Sequence, residues 1–337
     1  MNKKECKDME DVFSRDEIVN LLRFQEEDFL ELHQAAKDDN IILFLGAGLA
    51  KMYGCLLWSE MARKLSEILL NNKIISYAEE DILSKESESD PRKVISICYS
   101  LCKNERKKLN IYKKTIKDSI KINKSESKNI NEIYELIFSI NPKAYLTTNL
   151  DLGIKSYLGL NANPNQRIYN CTSPEDKGVI EEIGYQIFKD GNIIYLHGNY
   201  ENIENSILTV DQYLEYYSDK ENFLRKLFSN INGFIVFIGY GLSEWDVIEK
   251  IYKIYKSKKE SFGIEITGCL LSPVFTHEIT KFKLERSYYE SFGIKSIPYL
   301  IDDEGHKTLR RVLENLKKAL DKTRPTTYDI FKEIEEI

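Results

Sequence analysis

The sequence has few of the residues that build metal centres. Its six cysteines stand at positions 6, 55, 98, 102, 171 and 269, and no two form a Cys-x-x-Cys pair. Four histidines accompany them. A structural zinc site needs four ligands, usually in tight pairs, so no metal is expected. The thiols read instead as reduced, buried or half-buried groups of an intracellular protein. Long apolar runs are also missing. No window approaches 18 uninterrupted apolar residues, and the opening "MNKKECKDMEDVFSRDEIV" has no apolar core of signal-peptide length. The expectation is a cytoplasmic chain with no membrane partner. Nor is there an excess of positive charge. Forty-eight Lys and Arg face 54 Asp and Glu, a net charge of -6, which argues against direct nucleic-acid binding. The richest basic stretch, "KNERKKLN" at 103–110, reads as a solvated helix face. The phosphate loop G-x-x-x-x-G-K-[ST] is absent, as are internal repeats and low-complexity blocks.

What is present fits a globular α/β protein. The chain has 337 residues, 42% hydrophobic and 30% charged, enough for one large domain or two smaller ones. Helical periodicity runs over about 14–39. "IILFL" at 41–45 follows, a continuous apolar run closed by "GAG", which is the pattern of a strand buried on both faces. "WSEMARKLSEILLNN" is an amphipathic helix. Residues 72–140 read as helices only, with Asp90 capping a helix whose first turn holds Pro91. Strands return with "KAYLTTN", "RIYNC" and "YQIFKDGNIIYLHGN", the last read as a hairpin turning at Asp190-Gly191. "GFIVFIGYG" repeats the first pattern and leads into the helix "SEWDVIEKIYKIYKS". "EITGCLLS" and "KSIPYLI" are strands separated by a helix near 276–291. "HKTLRRVLENLKKALDK" is a final helix. Alternation of this kind predicts a Rossmann-like, doubly wound, mostly parallel sheet with a helical insertion between its first two strands. The expected division is an N-terminal helical segment (1–40), a main domain (41–322, insertion 72–140) and a tail or the start of a further region (323–337).

Ligands of such sheets bind beyond the carboxyl ends of the strands. Those ends carry Gly46, Ala47 and Gly48; Thr147, Thr148, Asn149 and Asp151; His197 and Gly198; Gly239, Tyr240, Gly241 and Ser243, with Glu244 and Asp246 beyond; and Ser272. "GAG" before a helix offers amides to an anion, although the third glycine of the dinucleotide fingerprint is replaced by Lys51. Asn149 offers an amide that both donates and accepts. His197 is the best-placed titratable base. His33, His277 and His306 lie on helices or at their starts. Trp58 reads as core.

In order, "GAGLA" (46–50), "TTNLD" (147–151), "YLHGN" (195–199) and "FIGYGLSEWD" (237–246) resemble the sirtuin superfamily, and most nearly the sirtuin-like NADases of bacterial anti-phage defence, of the defence-associated sirtuin and Thoeris-effector type. The four-cysteine zinc module of the deacylating members is absent. Residues 54–58, "GCLLW", stand where those members carry a Gly-Ile-Pro-Asp-Phe-Arg-type loop, and Ala50 stands where the family turn usually ends in serine. The resemblance implies NAD as substrate and hydrolysis to nicotinamide and ADP-ribose, depleting NAD during abortive infection. It implies Asn149 and His197 as catalytic residues: Asn149 holding the ribose and orienting water, His197 as base. It implies Gly46, Ala47 and Gly48 at the pyrophosphate, Asp151 orienting from behind, and Gly239, Gly241, Ser243 and Ser272 among the cofactor-binding residues. It also implies a homo-oligomer and a phage-derived activator or partner defence protein. The alternatives are a non-catalytic sensor of NAD or an ADP-ribose derivative, an ADP-ribosyltransferase, and a deacylase.

Overall fold

A computed structural model describes residues 30–52, 54–121, 127–151, 153–155, 165–218, 223–242, 244–302 and 308–323. Among the described residues, seven strands form one sheet: β1 (Ile41–Leu45), β2 (Ala144–Thr147), β3 (Ile168–Asn170), β4 (Asn192–Tyr195), β5 (Phe234–Ile238), β6 (Gly268–Val274) and β7 (Ile294–Leu300). Their order is β3-β4-β2-β1-β5-β6-β7, and every pairing is parallel. The chain builds outward from β1 in one direction, then returns to its other side with β5. The switch point therefore lies between β1 and β5, where a doubly wound sheet leaves a crevice.

The helices are α1 (Leu30–Lys37), α2 (Ala47–Met52), α3 (Trp58–Asn71), α4 (Tyr77–Ser89), α5 (Pro91–Cys102), α6 (Arg106–Ser119), α7 (Ser127–Ser139), α8 (Pro174–Ile183), α9 (Val210–Ser218), α10 (Phe223–Ser229), α11 (Trp245–Phe262), α12 (Ile279–Glu290) and α13 (Thr308–Thr323). Every residue of β1 and β5 is buried, because side chains alternate between two covered faces. Ile41, Leu43 and Leu45 pack with α1, α7 and α13, whereas Ile42 and Phe44 pack with α9, α10 and α11. A third core joins α3–α6 and also takes in Leu150, Ile203 and Leu208 from loops beyond β2 and β4. That shared core fixes the insertion against the carboxyl end of the sheet.

The helix-only reading of 72–140 holds among the described residues. Asp90 accepts from the Lys93 amide at 3.1 Å, and Pro91 opens α5. The basic stretch at 103–110 is largely exposed, and the five described cysteines are buried and free. Among the described residues no helix is long and apolar enough to cross a membrane. The hairpin expected at 185–199 does not form. Residues Gly184–Ile187 are a 3-10 turn, and β4 lies parallel to both β2 and β3. The Asp190-Gly191 turn itself is present, with positive φ at both residues (55° and 69°). It reverses the chain out of a short helix instead of out of a strand. Within the long final-helix and opening-helix readings, the described parts are 308–323 and 30–37.

Candidate functional site

The crevice at the switch point is built from backbone. Gly46 N–H donates to Ile238 O (2.9 Å) and Gly48 N–H to Gly239 O (2.8 Å). A methyl group at Gly46 would fall on the Gly239 carbonyl and the Tyr240 backbone, and one at Gly48 would lie 3.0 Å from the Gly239 oxygen. Gly239 adopts φ +65°, and a methyl there would meet Leu49 N at 2.7 Å. The first two glycines thus let two strand ends touch. Their amides, assigned from sequence to a phosphate, donate to chain carbonyls in this structure. The short helix α2 begins at Ala47 without any intervening loop.

β2 delivers the second group. Thr147 Oγ1 donates to Leu45 O (2.8 Å) and accepts from Asn149 N–H (3.0 Å), and Asn149 Nδ2 donates to Gly46 O (2.8 Å). This fixes the carboxamide plane and leaves Oδ1 to accept. Asn149 and Asp151 line a recess of about 30 Å³ whose walls include Ala50, Cys55 and Trp58. A water molecule needs roughly 10–15 Å³ of such space, so the recess takes water and excludes a ring. Ala50, where the resembled family has serine, forms part of this wall. Asp151 is buried, its Oδ1 accepts from Gly153 N–H (2.8 Å), and burial pushes its carboxyl up to about 6. Desolvation disfavours the charged form and outweighs the amide bond.

Two cavities of about 320 Å³ flank the Gly239–Gly241 turn. One is bounded by Ala47, Gly48, Trp58, Thr148 and Glu244. The other is bounded by Leu270, Ser272, Pro273, Tyr289 and Tyr299, on the β6 side. Ser272 lies two residues before the end of β6, not at its end as read from sequence, yet it lines this second cavity. Gly241 borders both cavities, and a methyl group there would meet nothing within 4 Å. Ser243 lies outside the described residues, as does His306. Trp58 is half-buried, part of the third core and wall of two cavities together, so the core reading was incomplete.

His197 and Asn149 each lie two residues past the paired strand ends Thr147 and Tyr195. His197 is 1% exposed, with Nε2 at 2.7 Å from Tyr217 Oη. Tyr213 and Tyr216 approach the ring edge-on. The three cavities above are lined by neither His197 nor Tyr217. A chain of polar contacts continues outward. Arg92, on the insertion helix α5, lies over the Tyr213 ring (4.1 Å) and pairs with Glu244 (3.3 Å), which accepts from Tyr240 Oη (2.8 Å). Sequence reading missed Arg92, Tyr213 and Tyr217. Spacing at 213, 216 and 217 places three tyrosines on one helix face, a signal that was available. Nothing local marks Arg92.

The family model of the SIR2-like domain matches residues 143–273. That stretch runs from β2 to β6 and carries "TTNLD", "LHGN" and "GYGL"; "GAGLA" precedes it. A comparison with curated proteins gives no match. The family match supports a sirtuin-like reading and fits an NAD-binding, NAD-processing function.

Proposed function

We propose that the chain hydrolyses the nicotinamide–ribose bond of NAD to nicotinamide and ADP-ribose. The observation that supports this best is the water-sized recess formed by Asn149 and Asp151 beside the switch-point crevice. Breaking a glycosidic bond to a neutral leaving group builds oxocarbenium character on the sugar, so the protein must hold the ribose and aim water at its anomeric carbon. Asn149 Oδ1 accepts from that water, and its fixed Nδ2 keeps the carboxamide from turning. The cavity walled by Thr148, Trp58 and Glu244 takes the nicotinamide half, and the one walled by Ser272 and Tyr289 takes the adenosine half. Gly239 and Gly241 form the ridge between them, and Ala47 faces the phosphates. His197 is assigned as the base for the water's proton; because neither it nor Tyr217, to which it is bonded, lines the recess or the two cavities, Tyr217 must move for that proton to reach it. The residues fit a dinucleotide because the two cavities share one glycine ridge with no side chain on Gly241.

The family resemblance supplies the setting of this proposal: NAD depletion in anti-phage defence, by a homo-oligomer held off until a phage component or partner protein acts. Purified chain incubated with NAD should release nicotinamide, and Asn149→Ala should lower the rate by about 100-fold or more in a protein that still melts cooperatively. Full activity in that variant sinks the assignment. A second reading, a sensor that binds NAD or an ADP-ribose derivative without cleaving it, is favoured by the burial of His197 behind Tyr217. Saturable binding with no nicotinamide released would support it.

A further inference from the structure

The largest cavity described lies at the other end of β5. It measures about 510 Å³ and is walled by α10, the turn into β5 and one face of α11. That face is Lys250, Lys253, Ile254, Ser257 and Lys258, the i, i+3, i+4, i+7, i+8 stripe of a helix. Arg225 and Ser229 contribute from α10 and Asn232 from the turn. Four cations therefore line one cavity, and no carboxylate lines it among the described residues. The adjoining cavity of about 310 Å³ shares Asn232, Lys258 and Phe262 with it and carries the carboxylates Glu31 and Asp38. β5 is five residues long, roughly 17 Å at 3.3 Å per residue, so this cavity is remote from the glycine ridge.

A basic helix face is ordinarily a solvated one, and three observations set this one apart. Lys250 is only 5% exposed, its ammonium meeting Glu249 at 3.0 Å, while Glu249 also pairs with Lys253. One carboxylate thus serves two lysines. Lys258 Nζ is drawn inward to Gly233 O (2.9 Å), and burial pushes its ammonium down to about 8. A buried cation held without a carboxylate gains most from a bound anion. Finally, Phe262 closes the rim and is 76% exposed. An exposed aromatic beside a basic cavity is the arrangement on which a planar base stacks while cations hold phosphate. Phe228, Ile231 and Ile254 give the cavity an apolar wall, and its volume lies within the usual 300–1,000 Å³ of small-molecule sites.

We infer that this cavity is a second ligand site, for a nucleoside phosphate, with the phosphate on Arg225, Lys250, Lys253 and Lys258 and the base against Phe262. The site does not depend on the function proposed for the glycine ridge. Calorimetric titration of the full chain with ADP should show a binding component that weakens as salt rises. Arg225→Gln with Lys253→Gln, both exposed positions, should weaken that component by about tenfold or more, the equivalent of roughly 1.4 kcal/mol. Phe262→Ala should weaken ADP several-fold and leave inorganic phosphate unaffected. Asn149→Ala should retain the component, because it lies at the opposite end of the sheet. Circular dichroism melts verify that each variant folds. The inference is overturned by absence of ADP binding in the wild type, by wild-type binding in the Arg225/Lys253 variant, or by inorganic phosphate binding as tightly as ADP.

Discussion

"IILFLGAG" at 41–48 and "FIVFIGYG" at 234–241 are near twins. Each is five apolar residues followed by Gly-x-Gly, and each forms a fully buried strand of the same sheet, side by side and in register. Their glycines nevertheless do different things. Gly46 and Gly48 are crowded by the neighbouring turn, and Gly239 has a positive φ and faces Leu49. Gly241 is open where a Cβ would stand. The same motif thus contains three glycines required for two backbones to meet and one that is not. A glycine at a strand end is evidence for a ligand only after its protein contacts have been subtracted.

Gly46→Ala tests the crowded side and should have the largest effect. The added methyl group would occupy the space of the Gly239 carbonyl and Tyr240 Cα, neither of which can rotate away. A loss of about 4 kcal/mol or more is expected, read as failure to give a cooperative melt. A near-normal melt would show that the two turns are not locked together.

Asp151→Asn comes next and concerns the recess beside the first twin, between its turn and the end of β2. Burial raises the carboxyl from its ordinary value to about 6. The folded state therefore holds its proton more tightly than the unfolded chain. The stability this adds is present below pH 4 and is lost as pH rises through about 6. The full loss is about 3 kcal/mol at pH 7 by linkage. Asparagine keeps an acceptor for the Gly153 amide. The variant should match wild type near pH 4 and melt higher at pH 7, flattening the slope between them. Parallel slopes in the two proteins would refute the burial account. Arg92→Ala should cost somewhat less, about 2 kcal/mol, because Glu244 keeps the Tyr240 hydroxyl when its ion pair is lost. If the insertion positions the ridge, nicotinamide release should fall further than this instability explains. Glu244→Gln should share that loss, since it removes the other half of the pair.

Much of this was legible in the sequence, and the exceptions have physical causes. Strands buried on both faces announce themselves as apolar runs, so β1, β2, β5 and the parallel class were readable. "YQIF" shares that composition but closes into a 3-10 turn, because an apolar run alone does not separate strand from buried turn. The polar ends of β2 and β4 were found as motifs, and Asn149 and His197 each follow the paired strand ends Thr147 and Tyr195 by two residues. The Arg92–Glu244 pair joins residues 152 positions apart through the packing of the insertion, which no local pattern encodes. Lys250 and Lys258 look in sequence like any solvated lysines; only the approach of α10 turns their face into a cavity wall.

Gly241→Ala carries the smallest expected effect and sharpens the comparison most. No heavy atom lies within 4 Å of the added methyl group, and φ at Gly241 is not positive. Stability should change by less than about 0.5 kcal/mol. The methyl group nonetheless projects into the rim shared by both 320 Å³ cavities. If a dinucleotide crosses that ridge, its binding should weaken several-fold in a protein whose melt is unchanged. Unaltered binding would mean that the ligand avoids the ridge, and the open Cβ position of the second twin would then have no part in binding.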